Sequence, residues 1–444
     1  MIFTQFVDDA LGCASYLVGD ADSATAVVVD PAFAIEQYLE EAERRGVRIV
    51  RTLETHTHAD HLSGHGRFAL EHDIPVSVHS AAEAEYPHDA IEDGDEIAVG
   101  QIVLRCIHTP GHRPEHCCFA VSDRSRSPDP WIVLTGDSLF VGDAARPDLA
   151  VEAREGAEGL FHSLRRLVEL GDGVEVYPGH VAGSLCGKAM SSKASTTIGF
   201  ERRFNPALAT DDVALFIAES AAISAPRPPN IERIVEMNRG PFVGAPPEPT
   251  ELPAPPEGVQ VLDVRPVEAF AEGHFAGAVN VPVTGTRFST KAAFVLGTEP
   301  VVVSASDANE AAQAIRALRS VGVLDVPGYV LGAGPETLRL VSIDDLDALL
   351  AGGAELIDVR EKDERDTGYI AGSRNIPYRL LALGETDLPR DRPIVTICET
   401  GPRAAIAASI LAAHGFDAHP VWNGGIDSWS AAGRPTVEFR RCGS

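Results

Sequence analysis

The chain is short of positive charge: 37 Lys and Arg stand against 65 Asp and Glu, a formal net charge of −28 over 444 residues. Such a surface repels phosphate backbones and anionic bilayers, so no nucleic-acid or membrane partner is expected. An anionic small substrate is compatible with it, because a metal or a local Lys/Arg pair can dominate the field inside one pocket. Long apolar runs are also missing, none approaching the roughly 20 residues that span a bilayer. Met1 to Ala10 carries Asp8 and Asp9 but no basic n-region followed by an apolar stretch, so no signal peptide is expected and the location is expected to be cytoplasmic. Cysteine is scarce: the seven are scattered, odd in number and without a CxxC pair. That pattern suits reduced thiols better than a disulfide framework.

What is present is ordinary for a soluble globular chain, with 44% hydrophobic and 23% charged residues. The length calls for roughly two to four domains. Over residues 1–240, β-rich runs (Thr25 to Asp30, Ile102 to His108, Trp131 to Thr135) alternate with helical patterns (Phe33 to Arg45, Gly159 to Leu170), which predicts a layered α/β domain. Pro241 to Gly258 holds seven prolines and no periodicity, so residues 241–257 read as an extended linker. An internal repeat follows. Val261-Leu-Asp263-Val-Arg265 superposes on Leu356-Ile-Asp358-Val-Arg360 at an offset of 95, and the same offset lays Gly277 to Pro282 over Gly372 to Pro377. In each copy a second strand comes later, Pro300 to Val303 and Pro393 to Ile397, so strand and helix alternation predicts a parallel sheet.

Chemistry concentrates in four places. Glu54-Thr-His56-Thr-His58-Ala-Asp60-His61 follows the β-rich run Val47 to Leu53 and precedes a helical pattern beginning near Leu62. Thr109-Pro-Gly-His112, Thr135-Gly-Asp137 and Tyr177-Pro-Gly-His180 each end an apolar run beside a glycine, which lets the backbone turn sharply next to a crowded ligand. Loops at the carboxyl ends of strands can aim several imidazoles and carboxylates at one point, the donor set that borderline metals need. His65, His72, His79, His88, His108, His116 and His162 read as ordinary surface or helix histidines, and Cys106, Cys117 and Cys118 as core.

The His-x-His-x-Asp-His segment with His112, Asp137 and His180 resembles the metallo-β-lactamase fold superfamily, which implies an αββα sandwich. The superfamily signature is not specific for a reaction. A two-zinc hydrolase of the glyoxalase II type is one reading, with one metal on His56, His58 and His112, another on Asp60, His61 and His180, and Asp137 bridging. Leu11-Gly-Cys13-Ala-Ser-Tyr16, Gly136-Asp137-Ser-Leu-Phe140, Arg146-Pro-Asp148-Leu149 and Gly183-Ser-Leu-Cys186-Gly-Lys188 instead resemble segments of the persulfide dioxygenase branch, and no glyoxalase II helical region is evident. That resemblance implies one Fe(II) per chain held by His56, His112 and Asp137, a facial triad leaving positions for a persulfide sulfur and dioxygen. His58, Asp60, His61 and His180 would then orient these ligands. Arg146 and Lys188 are candidates for holding a substrate carboxylate, or are solvated cations; Cys186 is a reactive thiol near the mouth, or a buried small residue.

Ile397-Cys398-Glu-Thr-Gly401-Pro-Arg403 ends a strand and leads into an apolar helix, Ala404 to Ala413. Backbone N–H groups and a helix N-terminus there stabilise an anionic persulfide on Cys398. With Asp358-Val-Arg360 before and Gly424-Gly-Ile-Asp-Ser-Trp429 after, the unit resembles a rhodanese, which implies Cys398 and Arg403 as catalytic residues. Glu399 stands where many thiosulfate-using rhodaneses carry a basic residue, and an acid there should disfavour a doubly charged donor. In the first repeat the aligned stretch is Val303-Ser304-Ala-Ser-Asp-Ala-Asn309, with serine for cysteine, so that repeat is expected to be silent.

The expected organisation is a persulfide dioxygenase–rhodanese fusion: a metallo-β-lactamase domain over 1–240, the linker, an inactive rhodanese-like domain over 258–335 and an active one over 340–444. Expected partners are a low-molecular-weight thiol persulfide, dioxygen, and sulfite or thiosulfate, in a homo-oligomer. A zinc thioesterase with an appended sulfurtransferase, and a non-enzymatic sulfur carrier or sensor, are the alternatives.

Overall fold

A computed structural model describes residues 1–8, 10–147, 152–181, 191, 193–221, 229–384 and 387–438. The chain divides into two units, Met1–Ala245 with Arg319–Gly322, and Pro246–Leu318 with Val323–Ser444.

The first unit is built by alternation. Leu17, Ala26 and Val28 point to one side of a six-stranded sheet and pack on Tyr38 and Ala42 of helix Glu36–Arg45 and Phe68 of helix His65–His72. Their neighbours Val18, Val27 and Val29 point to the other side and meet Leu104, Phe119 and Leu134 of a second six-stranded sheet. The far face of that sheet, through Val133 and Val176, is covered by Leu160, Leu164 and Leu167 of helix Ala153–Val168. Period-2 burial on both sheet faces and an apolar helical stripe on each outer layer give the αββα sandwich. Strands Thr25–Val29, Arg48–Leu53 and Val76–His79 run parallel, as do Ile132–Gly136 and Glu175–Pro178, so their carboxyl ends open on loops. Three short helices follow, Ile198–Phe204, Val213–Ala221 and Ile231–Arg239. The sequence reading missed this helical region because such short pieces carry little periodicity.

The second unit holds two parallel sheets. One has the order Thr250–Glu251, Gly328–Leu331, Val301–Ala305, Gln260–Asp263, Val279–Asn280; the other has Arg374–Asn375, Glu355–Asp358, Ile394–Ile397, Ala418–Pro420. The α/β class and parallel sheets are therefore as read from the sequence. The proline-rich stretch makes contacts at both ends. Phe242 stacks on Tyr86 of the first unit, and Thr250 pairs with Gly328 as an edge strand of the second, a place where flanking prolines are tolerated.

The repeat extends to individual hydrogen bonds. Arg265 Nε donates to Asp263 Oδ1 at 3.0 Å and its Nη2 to the Gly273 carbonyl at 2.7 Å; Arg360 does the same to Asp358 at 3.0 Å and to Gly368 at 2.6 Å. Asn280 Nδ2 donates to the carbonyls of Asp263 and Arg265, as Asn375 Nδ2 does to those of Asp358 and Arg360. These buried clasps tie the first strand of each repeat to its neighbour. Replacing Asn280 with Ala leaves the buried Arg265 carbonyl without its donor and the Asp263 carbonyl with only the Val281 N–H; it should cost about 1–3 kcal/mol, seen as a lower midpoint in chemical denaturation of the full chain.

Candidate metal centre and sulfur-transfer loop

Four strand ends converge in the first unit. His56 to His61 follow strand Arg48–Leu53, His112 follows Ile102–His108, Asp137 follows Ile132–Gly136, and His180 follows Glu175–Pro178. The turn before Asp137 needs glycine: Gly136 has φ +47°, and a Cβ there would lie 2.6 Å from Thr55 Oγ1 and 2.8 Å from His116 Nε2. The strand ends bring all seven sequence-selected residues into one region, six of them in two sets with different proton arrangements and His58 apart from both.

His56, His112 and Asp137 form the first set. His112 Nδ1 lies 3.2 Å from the Arg146 carbonyl, which can only accept, so Nδ1 carries the proton and Nε2 a lone pair. Thr55 gives its one hydroxyl proton to Asp30 Oδ2 at 2.9 Å, so it accepts from His56 Nδ1 at 2.8 Å, and His56 Nε2 likewise keeps a lone pair. Both Nε2 atoms face Asp137 Oδ2, at 4.0 Å from His56 and 3.5 Å from His112. That oxygen is buried without a hydrogen-bond partner. Burial lowers the pKa of both imidazoles, keeping them neutral. Burial also raises that of Asp137, but the adjacent His180 charge overrides it and holds the carboxyl well below its usual range. Two neutral lone pairs and a buried carboxylate oxygen aimed at one point repel one another unless a cation lies between them, so the donor set fits a metal ion.

Asp60, His61 and His180 form the second set, and it is closed by hydrogen bonds. His180 donates from Nδ1 to Asp137 Oδ1 at 2.6 Å and from Nε2 to Asp60 Oδ2 at 2.7 Å. With both nitrogens engaged by carboxylates, its ring has no lone pair to offer. His61 Nδ1 meets Asp60 Oδ1 at 3.1 Å, and Cys13 Sγ sits 3.3–3.4 Å from His180 Nε2, Asp60 Oδ2 and His61 Nδ1.

His58 is aimed differently again. Its Nε2 donates to Glu54 Oε2 at 3.1 Å and lies 3.3 Å from Asp30 Oδ1. Burial and nearby His61 oppose its charge, but the two carboxylates raise its pKa to about 9. Glu54 also accepts from His65 Nδ1 at 3.1 Å and Ser63 Oγ at 2.6 Å. His65 and His116 are therefore not the ordinary histidines the sequence suggested. His116 is buried with its ring 5.2 Å from that of His56, and burial lowers its pKa to about 3. Asp30 and Asn238 escape sequence reading because nothing in their spacing marks them, while Glu54 opens the quoted motif without a role assigned to it. Asn238, from helix Ile231–Arg239, donates to the carbonyls of His58 (2.9 Å) and His61 (2.8 Å) and accepts from the Ser63 N–H (2.8 Å). Arg146 is buried rather than a solvated cation, while Lys188 and Cys186 lie outside the described residues.

In the second unit Cys398 is buried at the end of strand Ile394–Ile397, and the Gly401 N–H donates to its sulfur at 3.1 Å from the start of helix Pro402–Ala413. Gly425 must be glycine, since a Cβ would lie 2.3 Å from the Cys398 carbonyl and 2.2 Å from that of Glu399. Arg403 forms a two-pronged pair with Glu364 at 2.6 and 2.8 Å. Glu399 is engaged by Arg360 Nη1 at 2.6 Å. Burial and the neighbouring Asp427 raise its pKa, against the opposing pull of Arg360. In the first repeat, Asp263 pairs with Ser304 as Asp358 pairs with Ile397. By sheet register Ala305, not Ser304, therefore occupies the place of Cys398, and neither residue can carry sulfur.

The Asn238 contacts have a measurable consequence: Asn238→Ala leaves two carbonyls and one N–H of the His58–Ser63 loop without partners. It should cost about 2–4 kcal/mol and lower metal content in the purified protein, measured by denaturation and by elemental analysis.

Among known proteins, the metallo-beta-lactamase superfamily matches residues 8–180, and the rhodanese-like domain matches twice, over 248–333 and 342–432. The mitochondrial persulfide dioxygenase ETHE1 of Bos taurus is 30% identical over 240 residues, 52% of this chain and 85% of that protein. Its Homo sapiens counterpart is 31% identical over 233 residues, 50% and 82% of the two chains. A crystal structure of a metallo-beta-lactamase from Staphylococcus aureus covers 74% of this chain and 99% of its own, at 28% identity and a TM-score of 0.70. The chain thus belongs to the persulfide dioxygenase family of the metallo-beta-lactamase superfamily, in a form that carries two rhodanese-like domains.

Proposed function

We propose that the chain oxidises a low-molecular-weight thiol persulfide to sulfite at an iron site in its first unit and transfers sulfane sulfur through Cys398 in its second. The observation that carries the first half is the pair of lone-pair nitrogens, His56 Nε2 and His112 Nε2, facing the unpartnered Asp137 Oδ2. These three residues would hold one Fe(II), a two-histidine, one-carboxylate set with positions left open. Bound iron supplies the redox chemistry by which dioxygen oxidises sulfur. The overall change is R–S–SH + O2 + H2O → RSH + SO3²⁻ + 2H⁺, in which sulfane sulfur is oxidised, dioxygen is reduced and the carbon-bound sulfur leaves as thiol.

The remaining residues position and shield. The Arg146 carbonyl and Thr55 fix which nitrogens of His112 and His56 carry protons. His180, between Asp137 and Asp60, holds the carboxylate of Asp137 in place and carries the protons of both contacts. Cys13, Asp60 and His61 form a further group able to hold an ion, so the two-zinc arrangement is the alternative that a metal count separates from the single iron. Arg146 is the described candidate for a substrate carboxylate. In the second unit the Gly401 N–H and the start of its helix stabilise the negative charge of a Cys398 persulfide, with Arg403 at the rim. Because both units handle sulfane sulfur, sulfite and thiosulfate are the expected products.

Elemental analysis of the purified chain should find about one iron per chain, with oxygen uptake that depends on glutathione persulfide and disappears on chelation. Two zinc ions, thioester cleavage and no oxygen uptake would sink the proposal. Cys398→Ser should abolish sulfur transfer while leaving persulfide-dependent oxygen uptake in place; loss of both activities would contradict independent sites.

A further inference from the structure

Sulfur transfer at Cys398 gives the cysteine-free repeat no role, yet its helix Phe288–Val295 reaches the Cys398 site. Phe294 packs edge-on against Tyr378 of the second repeat, ring centroids 6.2 Å apart, and Tyr378 is buried beside Arg403. Three residues before Phe294, and so on the same face of the helix, stands Lys291. Its charged neighbours are Arg403, Arg287 and Cys398. Two more contacts hold the repeats in register: the Asn280 N–H donates to Ser409 Oγ at 2.9 Å, and Trp422, which lies against Gly401, donates to Glu268 Oε1 at 2.8 Å.

Lys291 is unusual as a structural lysine. It is half-buried, and among the described residues neither it nor Arg287 has a carboxylate partner, in a chain where acids outnumber bases 65 to 37. Arg360 and Arg403 at the same site are each held by a glutamate. Burial lowers the pKa of Lys291, and Arg403 and Arg287 lower it further, against the pull of Cys398. An ammonium group among guanidinium groups in a partly dry setting is relieved by an anion. Arg287 is held at φ +56°, a left-handed conformation that a non-glycine residue keeps only where its surroundings enforce it.

Resting on the sulfurtransferase reading above, we propose that the cysteine-free repeat supplies the anion-binding wall of the Cys398 site, with Lys291 and Arg287 holding the oxygens of sulfite as the sulfur acceptor. The lone pair of the sulfite sulfur attacks the outer sulfur of the Cys398 persulfide. The bond from that sulfur to Cys398 Sγ breaks, its electron pair stays on Sγ as thiolate, and thiosulfate departs. Cys–S–S⁻ and SO3²⁻ become Cys–S⁻ and S2O3²⁻, with total charge conserved and no outside oxidant. Arg287 is exposed, so it meets the acceptor first, and Lys291 lies deeper, toward the sulfur.

The test uses the full chain. Cys398 is loaded from glutathione persulfide, the load is read by intact-protein mass, and discharge is followed with sulfite and with dithiothreitol, an uncharged acceptor. In Lys291→Met, which keeps the alkyl packing, and in Arg287→Ala, KM for sulfite should rise about tenfold, the loss expected for one charge-assisted hydrogen bond. The ratio of kcat/KM for sulfite to that for dithiothreitol should fall by a similar factor, and Lys291→Arg should recover most of it. Variants that load normally and discharge to sulfite with unchanged KM overturn the proposal alone. A wild-type chain whose Cys398 takes up no sulfur overturns the sulfurtransferase reading, and this proposal with it.

Discussion

The carboxylate of Asp30, buried at the end of strand Thr25–Val29, is the contact on which the metal centre depends. It accepts the Thr55 N–H at 2.7 Å and the Thr55 hydroxyl at 2.9 Å, and lies 3.3 Å from His58 Nε2. Because the hydroxyl proton is committed to Asp30, Thr55 must accept from His56, and His56 must present a lone pair on its other nitrogen. One buried charge therefore sets a ring orientation two bonds away in the network. Asp30 sits at φ +51°, a strained conformation whose cost the three contacts offset. The effect is preorganisation: these contacts hold the donor atoms toward one point, which limits the rearrangement that would oppose metal binding.

The same economy of partners separates the two groups of histidines. His56 and His112 each spend one nitrogen on a neutral acceptor and keep the other. His180 spends both on carboxylates. A sequence motif treats all of them alike, since spacing places imidazoles in a loop but does not say what lies behind each ring. His65 and His116 were misread for a related reason: a histidine beside a turn is usually solvated, and only the packing of Glu54 and of Thr109 against them makes them part of the wall.

In the second unit the two repeats keep a common skeleton and differ at its working end. The Asp-x-Arg clasp and the Asn that caps it recur with matching bonds. Those contacts are local, two to seventeen residues apart, which is why the offset of 95 was legible without a structure. The loop after the second strand was aligned one residue off because its flanking sequence has diverged. Sheet hydrogen bonding, not residue similarity, decides that Ala305 takes the place of Cys398. Within the proline-rich stretch the extended chain finds a neighbour: Thr250–Glu251 pairs as an edge strand.

By itself the sequence determined which side chains could bind a metal and which sulfur could carry a persulfide. Those abilities belong to residue type and to position after a strand, and the alternation of apolar residues was enough to place the strands. Only the tertiary structure decided which nitrogens are free, which carboxylate oxygen lacks a partner, and which lysine of the cysteine-free repeat stands near Cys398. Proton positions and charge neighbours depend on groups remote in the chain, from Asp30, 25 residues before Thr55, to Asn238, 180 residues after His58. No local pattern encodes such pairings, because they are set by packing.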